Sequence, residues 1–137
     1  MKEGFTIINK LAIPSHFEAL AQVEVLVDSV CNELGVNEEF YGNVLIAVTE
    51  AVNNAIEHGN HMETDTEVNV AVGDNPMEFC FNVKDQGKGF DFVNLPDPTA
   101  PENLLKESGR GIFLMKNLAD EVVFEDKGSS VNIYFNK

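Results

Sequence analysis

Directly after a strand-like run ending at Val83 comes "KDQGKGFD", in which Asp85 is followed by Gly87 and Gly89. A carboxylate at a strand end can accept a hydrogen bond from an exocyclic amine, such as that of adenine. Two glycines beside it permit unusual φ angles or a close backbone approach. A plain turn opened by Asp accounts for the same letters. A second glycine pair, Gly109 and Gly111 in "SGRGIFLMKNL", opens a helix. Free N–H groups and the positive end of the dipole make such a start a phosphate site, to which Arg110 adds a charge. A simple loop boundary reads the same way. The spacing is neither that of a Walker loop nor that of a dinucleotide-binding turn.

The third stretch is "EAVNNAIEHGN", where Glu50, Asn54 and His58 stand four residues apart. At about 100° per residue they fall along one stripe of a helix. Val44, Val48, Ala51, Val52 and Ala55 form the apolar face, the stripe runs along its edge, and Asn53 and Glu57 point further toward water. Such a stripe is either solvated or faces a cleft, and the helix alone leaves both readings open.

These residues need elements to hold them. "FTIINKLA" reads as a first strand ended by Pro14. "SHFE" has the form of a capping box, Ser15 to Glu18, and predicts a helix running to about Leu34, stopped by Gly35. Asn37 caps a second helix that carries the polar stripe and ends near His58, with Gly59 as a left-handed stop. "TEVNVAV" and "MEFCFNV" alternate as strands about "GDNP", and "EVVFED" and "VNIYFN" form a second pair about "KGSS". Between the pairs lie a Pro-rich loop, residues 90–108, and a helix from about Gly111 to Leu118. The order β-α-α-β-β-loop-α-β-β predicts an α+β two-layer sandwich, a mainly antiparallel sheet with helices on one face.

The chain has 137 residues, an apolar share of 44%, ten Phe and no Trp, which suits one domain, 1–137, with a proper core. No apolar run reaches the roughly 18 residues of a membrane span, and the N-terminus lacks a secretory pattern, so a cytoplasmic protein is expected. A formal net charge of −14 makes nucleic acids and anionic membranes poor partners. A local nucleotide site with a metal ion remains compatible with that field. Cys31 and Cys80 have no CxxC spacing and read as buried free thiols, with a disulfide or zinc site as the alternative.

Taken in order, the E-x-x-x-N-x-x-x-H helix, the D-x-G-x-G turn, the Pro-rich loop and the G-x-G helix start resemble the GHKL family of ATP-binding domains. That family groups gyrase, Hsp90 chaperones, histidine kinases and MutL. The resemblance covers nearly the whole chain and implies the Bergerat ATP-binding sandwich. "TEAVNNAIEHGN", "GRGIFLMKNLAD" and "GSSVNIYFNK" look most like the anti-sigma-factor serine kinases of RsbW and SpoIIAB type.

The resemblance implies that Asn54 binds a magnesium ion bridging the ATP phosphates and that Glu50 is the general base toward a substrate serine. It gives Asp85 the adenine amine, Gly87 and Gly89 the adenine pocket, and Gly109, Arg110 and Gly111 the phosphate loop under a mobile lid. Ser129 stands near the adenine where many relatives have Thr, a change that keeps the hydroxyl. His58 either closes the helix or joins the nucleotide site. The implied partners are a STAS-domain anti-anti-sigma protein, a sigma factor and a second copy in a homodimer. The alternative is a nucleotide-gated clamp that binds without transferring phosphate. A detached histidine-kinase domain fits less well, because no helical segment with a phosphoacceptor His is seen.

Overall fold

The computed structural model describes residues 1–87 and 110–137. The predicted loop over 90–108, Gly89 and Gly109 therefore lie outside the described residues, as does the side chain of Arg110. The described elements are β1 (Thr6–Pro14), a 3₁₀ turn (Phe17–Ala19), α1 (Leu20–Glu33), α2 (Glu38–Asn54) and a π turn (Ala55–Gly59). After these come β2 (Glu67–Asp74), β3 (Glu78–Lys84), α3 (Arg110–Leu118), β4 (Glu121–Glu125), a second 3₁₀ turn (Asp126–Gly128) and β5 (Ser130–Asn136). The strands form one sheet in the order β1-β2-β3-β5-β4. All described pairings are antiparallel. This is the α+β two-layer sandwich that the element order predicts.

Alternation along the central strands sets the layers. Val68, Val70 and Val72 of β2 lie on the same face as Phe79, Phe81 and Val83 of β3 and Val131, Ile133 and Phe135 of β5, through the register Val70↔Val83↔Val131 and Val72↔Phe81↔Ile133. The Phe79 and Phe135 rings stack at 5.2 Å. Against this face α1 buries Val23, Val27 and Val30, and α2 buries Val44, Ala47, Val48, Ala51 and Val52. The apolar stripe predicted for the second helix is thus its core face. α2 starts as expected: Asn37 Oδ1 accepts the Glu39 N–H at 3.2 Å.

The capping box does not form. The chain enters through the 3₁₀ turn, whose N-cap His16 makes no side-chain capping bond. Ser15, fully buried, instead bonds Thr66: its Oγ lies 2.9 Å from Thr66 Oγ1 and donates to the Thr66 carbonyl at 3.1 Å. The opposite face of the sheet is partly covered by the chain's first residues, which pattern reading passed over. The Lys2 N–H donates to Tyr134 Oη at 2.9 Å, the Lys2 ammonium sits 4.3 Å over the Tyr134 ring, and Phe5 meets that ring at 5.6 Å. Cys80, paired with Tyr134 across the sheet, is completely buried, and burial pushes its thiol up to about 12. Cys31 is also free and buried, as expected of both.

Candidate active site

α2 does not end on a left-handed glycine. It widens into the π turn, where the Asn60 N–H donates to the Ala55 carbonyl at 2.8 Å. Single π turns inside helices often mark functional positions. The left-handed residues come later, His61 (φ 52°) and Met62 (φ 58°), and Gly59 is not among them. Gly59 serves close approach instead. A methyl group there would overlap the Asp85 carboxyl group, with Oδ1 at 2.8 Å and its other atoms nearer. Gly87 completes the junction, since a methyl on it would overlap the Gly59 carbonyl.

The strand-end carboxylate is held on this junction. The Asp85 N–H donates to the Ser129 carbonyl at 2.9 Å, and Asp85 Oδ1 accepts the Gly87 N–H at 2.7 Å. Burial raises the Asp85 carboxyl above its usual range, opposed by the Gly87 bond and by the charge of His61. The Ser129 hydroxyl is turned to the Asp126 carbonyl at 2.9 Å, so it is the Ser129 main chain that holds Asp85.

One turn and more earlier on the same helical run, Glu50 and Asn54 meet the start of α3. A methyl group at Gly111 would come 2.9 Å from Glu50 Oε2 and 3.0 Å from Asn54 Nδ2. The backbone of α3 therefore seats directly across the acid and the amide, a contact that any larger residue would hold open. Asn54 Nδ2 is buried and has no hydrogen-bond partner among the described residues. Glu50 also lines a groove of about 400 Å³, together with Phe17, Leu20, Glu24, Thr49 and Asn53. Asn53, expected toward water, is part of that groove. His58 joins neither set: its side chain is 53% exposed, with Nε2 3.9 Å from Glu57 Oε2.

The sequence profile of the histidine kinase-like ATPase domain matches residues 13–135. This chain belongs to that family. Within it the chain stands in the RsbW-like branch. It is 30% identical to the serine-protein kinase RsbW of Bacillus velezensis, over 93% of this chain and 83% of that one. It is 26% identical to the protein of the same name from Oceanobacillus iheyensis, over 82% of this chain and 75% of that one. A crystal structure of the RsbU and RsbW domains of a Mycobacterium tuberculosis protein shares the fold, with a TM-score of 0.60 at 15% identity. The match covers 94% of this chain and 32% of that longer one.

For a histidine kinase-like ATPase domain the donor set is sparse but suitable. Among the described residues no three His, Cys, Asp or Glu side chains gather as a metal cage. The orphaned Asn54 Nδ2 is a donor and suits an acceptor such as a phosphate oxygen, while the oxygen of the same amide beside one carboxylate suits a magnesium ion that keeps its waters and takes its other oxygens from phosphates. Among the described residues no helix is long and apolar enough to cross a membrane.

The Gly59 contact is directly testable. Gly59→Ala forces a methyl group into the Asp85 carboxyl, and overpacking of this kind costs about 1–3 kcal/mol. A clear fall in unfolding temperature is expected. Gly42→Ala, in α2 with open space around it, is the control: no fall is expected there, because Ala favours the helix. Equal melting of Gly59→Ala and the parent would refute the close approach.

Proposed function

We propose that this chain is a Mg-ATP-dependent protein serine kinase and anti-sigma regulatory factor. It phosphorylates a STAS-type antagonist protein and sequesters a sigma factor, working as a cytoplasmic homodimer without direct contact to nucleic acid or membrane. The single observation that carries the reading is the seat of Gly111 on both Glu50 and Asn54. That contact sets a helix start, an amide and a carboxylate at one point, which is the equipment phosphoryl transfer needs.

In this reading ATP lies along α2 and the π turn, with Asp85, just past β3, at one end and Glu50 at the other. Asp85 accepts the adenine amine, with Gly87, Gly89 and Ser129 shaping that pocket. Gly109, Arg110 and Gly111 approach the phosphates at the start of α3, where unpaired N–H groups and the dipole favour negative charge. Asn54 would hold the magnesium ion through its amide oxygen, and the bound ion would supply positive charge to the phosphates. The groove lined by Phe17, Leu20 and Glu24 is the approach for the substrate segment, because Glu50 is part of its wall. The serine oxygen forms a bond to the γ-phosphorus as the bond to the β–γ bridging oxygen breaks. ADP leaves, and the hydroxyl proton passes to the Glu50 carboxylate.

The test is transfer from γ-labelled ATP, with magnesium, to the STAS protein encoded nearest this gene. The parent is expected to label that protein on a serine. Asn54→Ala is expected to lose magnesium-dependent nucleotide binding and transfer together. A parent that binds ATP and both partners yet labels no STAS protein would make the chain a nucleotide-gated clamp.

A further inference from the structure

Asn60 is the first residue past the π turn and is only 4% exposed. Its amide is used at both ends. Nδ2 donates to Ser15 Oγ at 2.9 Å and to the Glu67 carbonyl at 3.0 Å. Oδ1 accepts the backbone N–H of Gln86 at 2.7 Å. Gln86 lies between Asp85 and Gly87, so that last bond grips the middle of the turn that presents the Asp85 carboxylate. A return bond closes the ring: Gln86 Oε1 accepts the Glu67 N–H at 2.7 Å.

The anchors are themselves fixed. Ser15 is fully buried and tied to Thr66, and Glu67 is the first residue of β2. Asn60 thus joins three segments, the exit of β1, the start of β2 and the Asp85 turn, through one side chain. None of those bonds is needed to close the helix, whose last turn is held by the Asn60 backbone. Only an amide can do this. Aspartate could accept from Gln86 but would have nothing to donate to the Glu67 carbonyl.

We infer that Asn60 is the positioning residue for adenine selection: it clamps the Asp85–Gly87 turn so that the carboxylate meets the amine of adenine. The inference rests on Asp85 reading that amine. Without Asn60 the turn keeps its glycine contacts but loses the bond that fixes its centre. The carboxylate then accepts from the amine in poorer geometry, and selectivity falls more than binding as a whole.

The experiment compares ATP with ITP, which carries an oxygen in place of the adenine amine, by calorimetric titration with magnesium. The parent is expected to prefer ATP by about tenfold or more, the worth of one charge-assisted hydrogen bond. Asn60→Ala is expected to bring the ATP-to-ITP ratio close to one, mainly by weakening ATP, and Asn60→Asp, which keeps an acceptor for Gln86 but has no donor for the Glu67 carbonyl, is expected to lower it part of the way. Ser15→Ala removes one anchor and leaves the Glu67 bond, so an intermediate ratio is expected; it carries the test should the Asn60 variants not fold. A variant that melts lower and binds both nucleotides proportionately worse, with the parental ratio, has lost only structure, and the inference is overturned. A parent that does not discriminate overturns the Asp85 reading itself, and the role of Asn60 falls with it.

Discussion

Glu50→Gln is expected to slow single-turnover phosphorylation of the STAS partner by about 10²–10⁴-fold while Mg-ATP binding stays near parental. Glutamine matches glutamate in volume, so the close seat of Gly111 and the wall of the groove survive the change. What disappears is the ability to take the serine proton as the new O–P bond forms. In the proposed reading the variant keeps Asn54 for the metal and the Asp85 turn for the adenine base. Because transfer depends mainly on positioning and charge stabilisation, the residual rate should stay well above that of uncatalysed exchange. Rapid-quench measurement of labelled partner, beside a nucleotide titration, separates the two effects. A parental rate in the variant would remove Glu50 from the role of base. A parallel loss of rate and affinity would make it a binding residue instead.

Much of this arrangement is legible from local pattern. The 3.6-residue repeat of Val44, Val48, Ala51 and Val52 marks the buried face of α2, and the alternation of "TEVNVAV" and "MEFCFNV" marks the central hairpin. Those signals reside within a few residues of each other, where periodicity and capping act. What stayed hidden depends on partners far along the chain. The hydroxyl of Ser15 has the right neighbours for a helix cap, yet it is claimed by Thr66 and Asn60, 51 and 45 residues away. Gly59 sits where a left-handed stop belongs, but its lack of a side chain serves Asp85, just past the end of β3. Asn60, following a glycine, looks like an ordinary turn residue, and only its burial reveals the clamp. The motif spacings point to Glu50, Asn54 and Asp85 as a set, whereas the groove beside Glu50 comes from packing α1 on α2, which no spacing encodes.

Asp85→Asn is expected to weaken ATP binding by roughly 10- to 150-fold and to erase the preference for ATP over ITP, because a charge-assisted hydrogen bond is worth about 1.5–3 kcal/mol. The same substitution should not cost stability in proportion. Burial raises the Asp85 carboxyl above its ordinary range, so the folded state favours the protonated form. That contribution to stability is fully present below the ordinary aspartate pKa of about 3.9 and is lost as pH rises through the raised folded value. Once pH has risen through that raised value the nucleotide-free protein carries an ionised, half-buried group at a cost, and asparagine removes it while still accepting the Gly87 N–H. Unfolding temperature without nucleotide should shift in favour of the variant as pH rises from the ordinary aspartate value through the raised one. With saturating Mg-ATP the order should reverse, since ligand binding stabilises the parent by mass action. ATP affinity of the parent should also fall as pH drops into the carboxylate range, while that of the variant stays level. A variant with parental ATP affinity would take the adenine away from Asp85. A pH-independent difference in melting would show that its carboxylate is not strained by burial.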